Sequence, residues 1–188
     1  MLINFKLRHI CVFSIQKFMK SKKNLVLLGM MGSGKSTIGL LVSKKLNVSF
    51  IDIDKLIEKE SNMKITEIFD QKGEAFFRKL EESTTLKALS STNKIISLGG
   101  GGFLNEKIRK EIILNNMSIW LNWNNQTLLN RIKKSKKRPM AFNLNEKELL
   151  ELILIRNKTY SKAKIKIDCE KFSKNKIVSK IIGFYELK

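Results

Sequence analysis

The sequence predicts an α/β domain built on a mainly parallel sheet. Two observations carry this. Short apolar runs alternate along the chain with stretches of helical period, at the spacing of strand–helix–strand units. The first of those runs, "LVLL", passes directly into a glycine-rich turn and then a helix. The chain has no internal repeat and one proline, Pro139.

The elements follow in order. Leu25–Leu28 is a short apolar run closed by glycine, which marks a buried strand. A helix runs from Lys35 to about Leu46. The segment "VSFIDID" ends a second strand. "KLIEKESN" starts a short helix, and "KITEIFDQKG" reads as another with a glycine stop at Gly73. Glu74 to Ser90 is helical, with Phe77, Leu80, Leu86 and Leu89 as candidate core positions. "KIISLGG" is a third strand, "MSIWLNW" a fourth and "KAKIKIDC" a fifth. The longest polar stretch, "KKSKKRPMAFNLNE", is a surface connector or a mobile lid.

Composition narrows the chemistry. A chain of 188 residues with a 43% hydrophobic fraction can bury a sizeable core in one domain. Its net charge of +20 fits either a polyanionic partner or a lysine-rich bias spread over solvated faces. The lysines are scattered through Asn- and Ile-rich surroundings, which favours the bias, and a basic cleft also suits a small anionic substrate. The only histidine, His9, lies near the amino terminus, which excludes a Ser-His-Asp triad and a histidine metal site in the core. Cys11 and Cys169 are far apart without metal-ligand spacing and point to a reducing compartment. Catalysis therefore falls to carboxylates, Lys, Arg and backbone amides.

Residues 1–20 read as a basic tail, disordered or spurious, ahead of a single domain over 21–188. The apolar run Ile10–Ile15 is too short to span a bilayer, and no small-residue cleavage site follows it. The lack of acidic residues suits an organelle transit peptide, but Arg8 is the segment's one arginine, and Met19 offers an alternative start. A cytoplasmic location is expected unless the tail is a transit peptide.

Gly29, Gly34, Lys35 and Ser36 satisfy the phosphate-loop pattern G-x-x-x-x-G-K-[ST] between a strand and a helix. Glycines let the backbone curl so that successive N–H groups face an anion, and the following helix presents its positive end to the same place. Gly32, Ser33, Gly34, Lys35, Ser36 and Thr37 are thus the nucleotide-binding candidates, with Lys35 on the β- and γ-phosphates and the Ser36 hydroxyl on Mg²⁺. The motif fits GTPases, motors, helicases and kinases. No Asn-Lys-x-Asp guanine reader is present, and a helicase needs more motifs, so a small-molecule kinase leads.

Further candidates lie beyond the loop. In a strand, Asp52 and Asp54 of "FIDID" would point the same way while Ile51 and Ile53 face the core. At the carboxyl end of a sheet strand, Asp52 is placed for Mg²⁺ and Asp54 for an acceptor hydroxyl, although either could simply cap the next helix. Arg78 sits three and four residues before Glu81 and Glu82, as in an ordinary helix-surface ion pair. Gly99, Gly100 and Gly101 form either a flexible turn or an open row of backbone amides.

Taken in order, these pieces run G-x-x-G-S-G-K-S/T, D-x-D, F-R-x-x-E, G-G-G, R-P-[LM] and R-x-x-x-Y. From about Asn24 to the end, the chain closely resembles the shikimate kinase family. That resemblance implies a three-layer P-loop kinase fold of nucleoside-monophosphate-kinase type, with a five-stranded parallel sheet. It also implies a small helical substrate-binding region at about 52–81 and a mobile lid at about 133–147. The implied activity is transfer of the γ-phosphate of ATP to the 3-hydroxyl of shikimate, en route to chorismate and aromatic amino acids. Lys35, Asp54 and Arg138 would be catalytic. Arg78 and Arg156 would hold the shikimate carboxylate, because each guanidinium offers paired planar donors. Asp54 and the amides around Gly99, Gly100 and Gly101 would meet its hydroxyls. Arg131 would lie near the adenine, Arg138 would swing over the phosphates, and Asp52 with Ser36 would sit at Mg²⁺. A monomer acting on small molecules, without nucleic acid or membrane, is expected. Met140 replaces the usual leucine after R-P, and the lid is richer in lysine than the pattern. A gluconate or nucleoside-monophosphate kinase, a basic nucleic-acid module and a non-catalytic paralogue are the competing readings.

Overall fold

A continuous apolar strand in the middle of a parallel sheet must be covered on both faces, and "LVLL" is such a strand. In the computed structural model, which describes residues 23–134 and 144–186, it forms β1 (Leu25–Leu28), with every residue buried. The chain continues through α1 (Lys35–Leu46), β2 (Ser49–Asp52), α2 (Ile53–Ser61), α3 (Ile65–Leu89) and β3 (Lys94–Ser97). It then runs through α4 (Glu106–Asn115), β4 (Met117–Asn122), α5 (Asn125–Lys133), α6 (Glu146–Tyr160), β5 (Ile165–Asp168) and α7 (Lys174–Glu186). The five strands pair in parallel in the order β2-β3-β1-β4-β5, with Val26 opposite Ile96 on one side and Leu27 opposite Ile119 on the other.

The period of two along β1 divides the core. Leu25 and Leu27 pack with Ile38 and Val42 of α1 and with Ile177 and Ile181 of α7. Val26 and Leu28 pack with α2 through α6, through residues such as Ile57, Phe77, Ile112, Leu129 and Ile153. Helices therefore cover both faces, and the five-stranded, three-layer fold expected from the sequence is the fold observed. Among the described residues, the loops after β1 and β3 that bear candidate residues each leave a strand at its carboxyl end, which is where open parallel sheets hold ligands.

One local reading changes. The second strand ends at Asp52 rather than running through Asp54, because the Asp52 side chain accepts from Lys55 N (3.3 Å) and starts α2. Asp54 thus reaches the sheet edge from the first helical turn, not by strand alternation. The helices expected either side of Gly73 are observed: α3 is interrupted where Gly73 takes a non-helical φ of 78° and ψ of 170°, so the glycine stop read from the sequence stands. At the start of α6 the Asn145 side chain accepts from Glu148 N (3.0 Å), and Glu148 accepts from Asn145 N (2.8 Å). This reciprocal cap fixes the helix that carries Arg156. The tail 1–20, Arg138, Pro139 and Met140 lie outside the described residues, as does most of the lid.

Candidate active site

The phosphate loop leaves β1 at Gly29, whose φ of 142° suits glycine alone. A β-carbon there would stand 2.9 Å from the Leu121 carbonyl oxygen. Gly34 takes φ 86° as the residue before α1, so the free N–H groups of that helix open onto the loop. Lys35 is 8% exposed. Its ammonium folds back on the loop, donating to Gly29 O (2.8 Å) and Met30 O (3.1 Å). Ser36 and Thr37 are exposed on the first turn of α1. The loop residues thus sit as a phosphate cradle requires.

At Gly99 and Gly101, after β3, neighbouring side chains occupy the space a β-carbon would need. A β-carbon on Gly99 would lie 2.5 Å from Glu81 Oε1 and 2.8 Å from Asp54 Oδ1. One on Gly101 would lie 2.5 Å from Arg78 Nη1. One on Gly100 would meet Met31 N at 3.4 Å and Arg156 Nη1 at 3.6 Å. The run therefore gathers Asp54, Arg78 and Arg156 beside the phosphate loop, and Arg156 Nη1 also contacts Met30 Sδ at 3.7 Å. Residues that are 100 or more positions apart in sequence share one cleft.

The electrostatics follow from this crowding. Burial pushes Asp54 up to about 6, with Asp52 adding to the rise, Lys35 opposing it, and Glu81 and Glu58 adding further. The fold therefore binds that proton more tightly than the unfolded chain does, and stability is lost as pH rises from about 4 through 6. Asp54→Asn removes this loss. The variant should be more stable than wild type by about 2 kcal/mol at pH 7.5 and about equal at pH 4.5, read from thermal melts. Equal differences at both pH values would show that Asp54 does not titrate in this window.

Burial works against the Arg78 cation, but Glu81 and Glu74 outweigh it and hold its pKa above the ordinary value. The Glu81 carboxylate accepts from Arg78 Nη1 at 2.6 Å, and Glu74 accepts from Arg78 Nε at 3.1 Å. Glu82, the other expected partner, instead accepts from Asn105 and Lys107. Burial lowers the pKa of Arg156; Tyr160 offsets this in part, and Arg78 adds to the lowering. Arg156 is 3% exposed, and its Nε has no hydrogen-bond partner among the described residues. A buried guanidinium with an unused Nε donor beside a second guanidinium has the chemistry to receive a planar anion.

Arg131 lies apart from this group. Its guanidinium stacks on the Trp123 ring at 3.7 Å, and Nη1 reaches Gly32 O at 3.4 Å. A cleft of about 380 Å³ opens next to it at the ends of β4 and β5.

Sequence reasoning carried Glu81 and Tyr160 only as motif positions, in F-R-x-x-E and R-x-x-x-Y, and gave neither a role. Glu81 is 2% exposed and orients Arg78. Tyr160, whose hydroxyl donates to the Gly100 carbonyl, is pushed up to about 12 by burial. A signal existed for Glu81: Phe77, Glu81, Thr84 and Ala88 form one helical stripe, and three of the four are ordinary interior residues.

For a metal, the described residues hold no group of three or more His, Cys, Asp or Glu side chains. The chain offers the Ser36 hydroxyl and the Asp52 carboxylate. That donor set suits Mg²⁺, which takes few protein ligands and completes its shell with phosphates and water.

The shikimate kinase family model matches residues 31–186. A shikimate kinase of Persephonella marina is 43% identical over 86% of this chain and 98% of its own length. A crystal structure of shikimate kinase from Aquifex aeolicus is 36% identical, with TM-score 0.76 over 85% of this chain and 94% of that one. Shikimate kinase from Acinetobacter baumannii, solved in complex with shikimate, superposes with TM-score 0.83 at 27% identity over 89% of this chain and 95% of that one.

Proposed function

The chain belongs to the shikimate kinase family, and we propose that its cleft moves the γ-phosphoryl group of ATP to the 3-hydroxyl of shikimate, giving shikimate 3-phosphate and ADP. The observation that carries this is the convergence of Arg78, Arg156 and Asp54 on Gly99–Gly101 next to the phosphate loop. The two guanidiniums take the substrate carboxylate. Asp54 takes a ring hydroxyl and orients the acceptor oxygen, and the amides of the glycine run take the remaining hydroxyls. A carboxylate near pKa 6 is a better proton acceptor than an ordinary aspartate, though positioning dominates in a loose phosphoryl-transfer transition state.

On the nucleotide side, the amides from Gly32 to Thr37 hold the phosphates and Lys35 offsets charge on the transferring group. Ser36 and Asp52 would hold Mg²⁺, which when bound would offset negative charge on the phosphates. Arg131 serves the base, and Arg138 closes over the phosphates and excludes water, a role that rests on the family resemblance alone. No helix among the described residues is long and apolar enough to cross a membrane.

The test is ADP release with Mg·ATP and shikimate, gluconate or nucleoside monophosphates side by side. Turnover with shikimate alone is expected, and turnover with another acceptor overturns the acceptor assignment. In the same assay, Arg78→Ala should raise the shikimate KM by about 10- to 100-fold while leaving the ATP KM within twofold. An equal loss on both sides in a folded variant counts against the carboxylate clamp.

A further inference from the structure

We propose that Trp123 is a positioning residue of the nucleotide site, tying its base end to the phosphate loop; this rests on the reading of the chain as an ATP-using kinase. Nothing in the phosphate-loop motif calls for an aromatic residue here. Trp123 follows the last residue of β4 and packs against both cores. Its indole N–H donates to the Ser33 carbonyl at 2.9 Å. The guanidinium of Arg131, in the last turn of α5, lies 3.7 Å over the same ring and reaches the Gly32 carbonyl at 3.4 Å. One aromatic side chain thus holds two consecutive loop residues, one directly and one through Arg131.

The loop has reason to need an outside anchor. Gly29, Gly32 and Gly34 all take positive φ, so the segment has many accessible conformations when nothing restrains it. Ser33 N donates to Met30 O at 3.1 Å, but the Ser33 hydroxyl is buried without a partner among the described residues. A trans peptide is planar, so fixing the Ser33 carbonyl toward the indole turns the Gly34 N–H the opposite way. That donor is then set before an anion arrives, and the ordering cost of binding falls.

The base end is prepared by the same side chain. Arg131 is exposed, although one face of its guanidinium is covered by the indole. The remaining face is a flat cation held in place, which suits a stacked base. The indole beneath it also lines the cleft formed with Asn124, Asn125, Asp168, Glu170 and Lys171. Both consequences belong to the nucleotide, and neither reaches the Gly99–Gly101 cluster.

The experiment measures ADP and shikimate binding by calorimetry on the full chain, with thermal melts alongside. Trp123→Phe keeps a ring under Arg131 and removes the indole donor; Trp123→Ala removes both. The ADP Kd should rise about three- to tenfold in Trp123→Phe, and further in Trp123→Ala, with the shikimate Kd within twofold of wild type. Adding Arg131→Ala to Trp123→Ala should cost less than the product of the single effects. Unchanged ADP affinity in Trp123→Ala overturns the proposal, as does an equal loss of shikimate affinity. If the alanine variant does not fold, the phenylalanine variant decides alone. ADP binding needs no acceptor, so failure to phosphorylate shikimate would overturn the function above and leave this test intact.

Discussion

Lys35→Met should leave a folded chain whose turnover with shikimate falls at least a thousandfold. The methionine stem fills much of the space of the lysine stem, so the loss is chiefly of charge. That charge is the one cation the loop motif itself supplies, and it is held over the Gly29 and Met30 carbonyls in a largely buried setting. Removing a single preorganised group that stabilises developing charge costs about 10²- to 10³-fold in known cases. Here there is a second effect. Lys35 opposes the upward push on Asp54, so its removal drives that carboxyl further toward the protonated form. The acceptor side is therefore weakened together with the donor side. Steady-state kinetics with a melt of the variant checks the expectation. Activity within tenfold of wild type would sink the role given to Lys35.

Arg156→Met should separate function from stability. Shikimate affinity should fall by about 10²- to 10³-fold, because a buried guanidinium that receives a carboxylate contributes charge-assisted hydrogen bonds that methionine cannot replace. Melting temperature should stay level or rise. Arg156 is 3% exposed and its Nε lacks a partner among the described residues, so its burial costs more than its contacts within the chain return. Methionine, with a similar unbranched stem, fits a position flanked by Met30 and Tyr160. Calorimetric binding of shikimate and a thermal melt, with ADP affinity as the control, test both halves. A clear fall in melting temperature would mean that Arg156 is a structural residue and not a held-open receptor.

The fold was legible because its signals are local. Apolar runs of four to seven residues, helical periods and glycine turns each act over a few neighbours, and the observed strands fall inside the runs that anticipated them. The phosphate loop was legible for the same reason, since strand, glycines and Lys35 are contiguous. Asp54 was already a candidate from its place at the end of the second strand, whereas on spacing alone the ordinary readings of Arg78 and Gly99–Gly101 stood level or ahead, and Arg156 was reached by family resemblance. Which of Asp52 and Asp54 caps the following helix was not legible, because it depends on where β2 yields to α2.

Local pattern, then, settled the order of strands and helices, the phosphate cradle and the class of chemistry left to a chain without a core histidine. Assembly of the tertiary structure settled which charges work together. Arg156 falls on the buried stripe of α6 with Leu149, Ile153 and Tyr160, and Glu81 falls on that of α3 with Phe77 and Thr84. A helical period marks both as interior positions but cannot say what they face. Their partners are supplied by β3, by the loop after β1 and by the glycines whose missing side chains leave room, as in the contact of Arg156 with Met30 across 126 residues. Trp123 meets Ser33 across 90. Burial of a charge is decided by the elements that close over it, and those elements are brought there by the sheet order, which no local window of sequence contains.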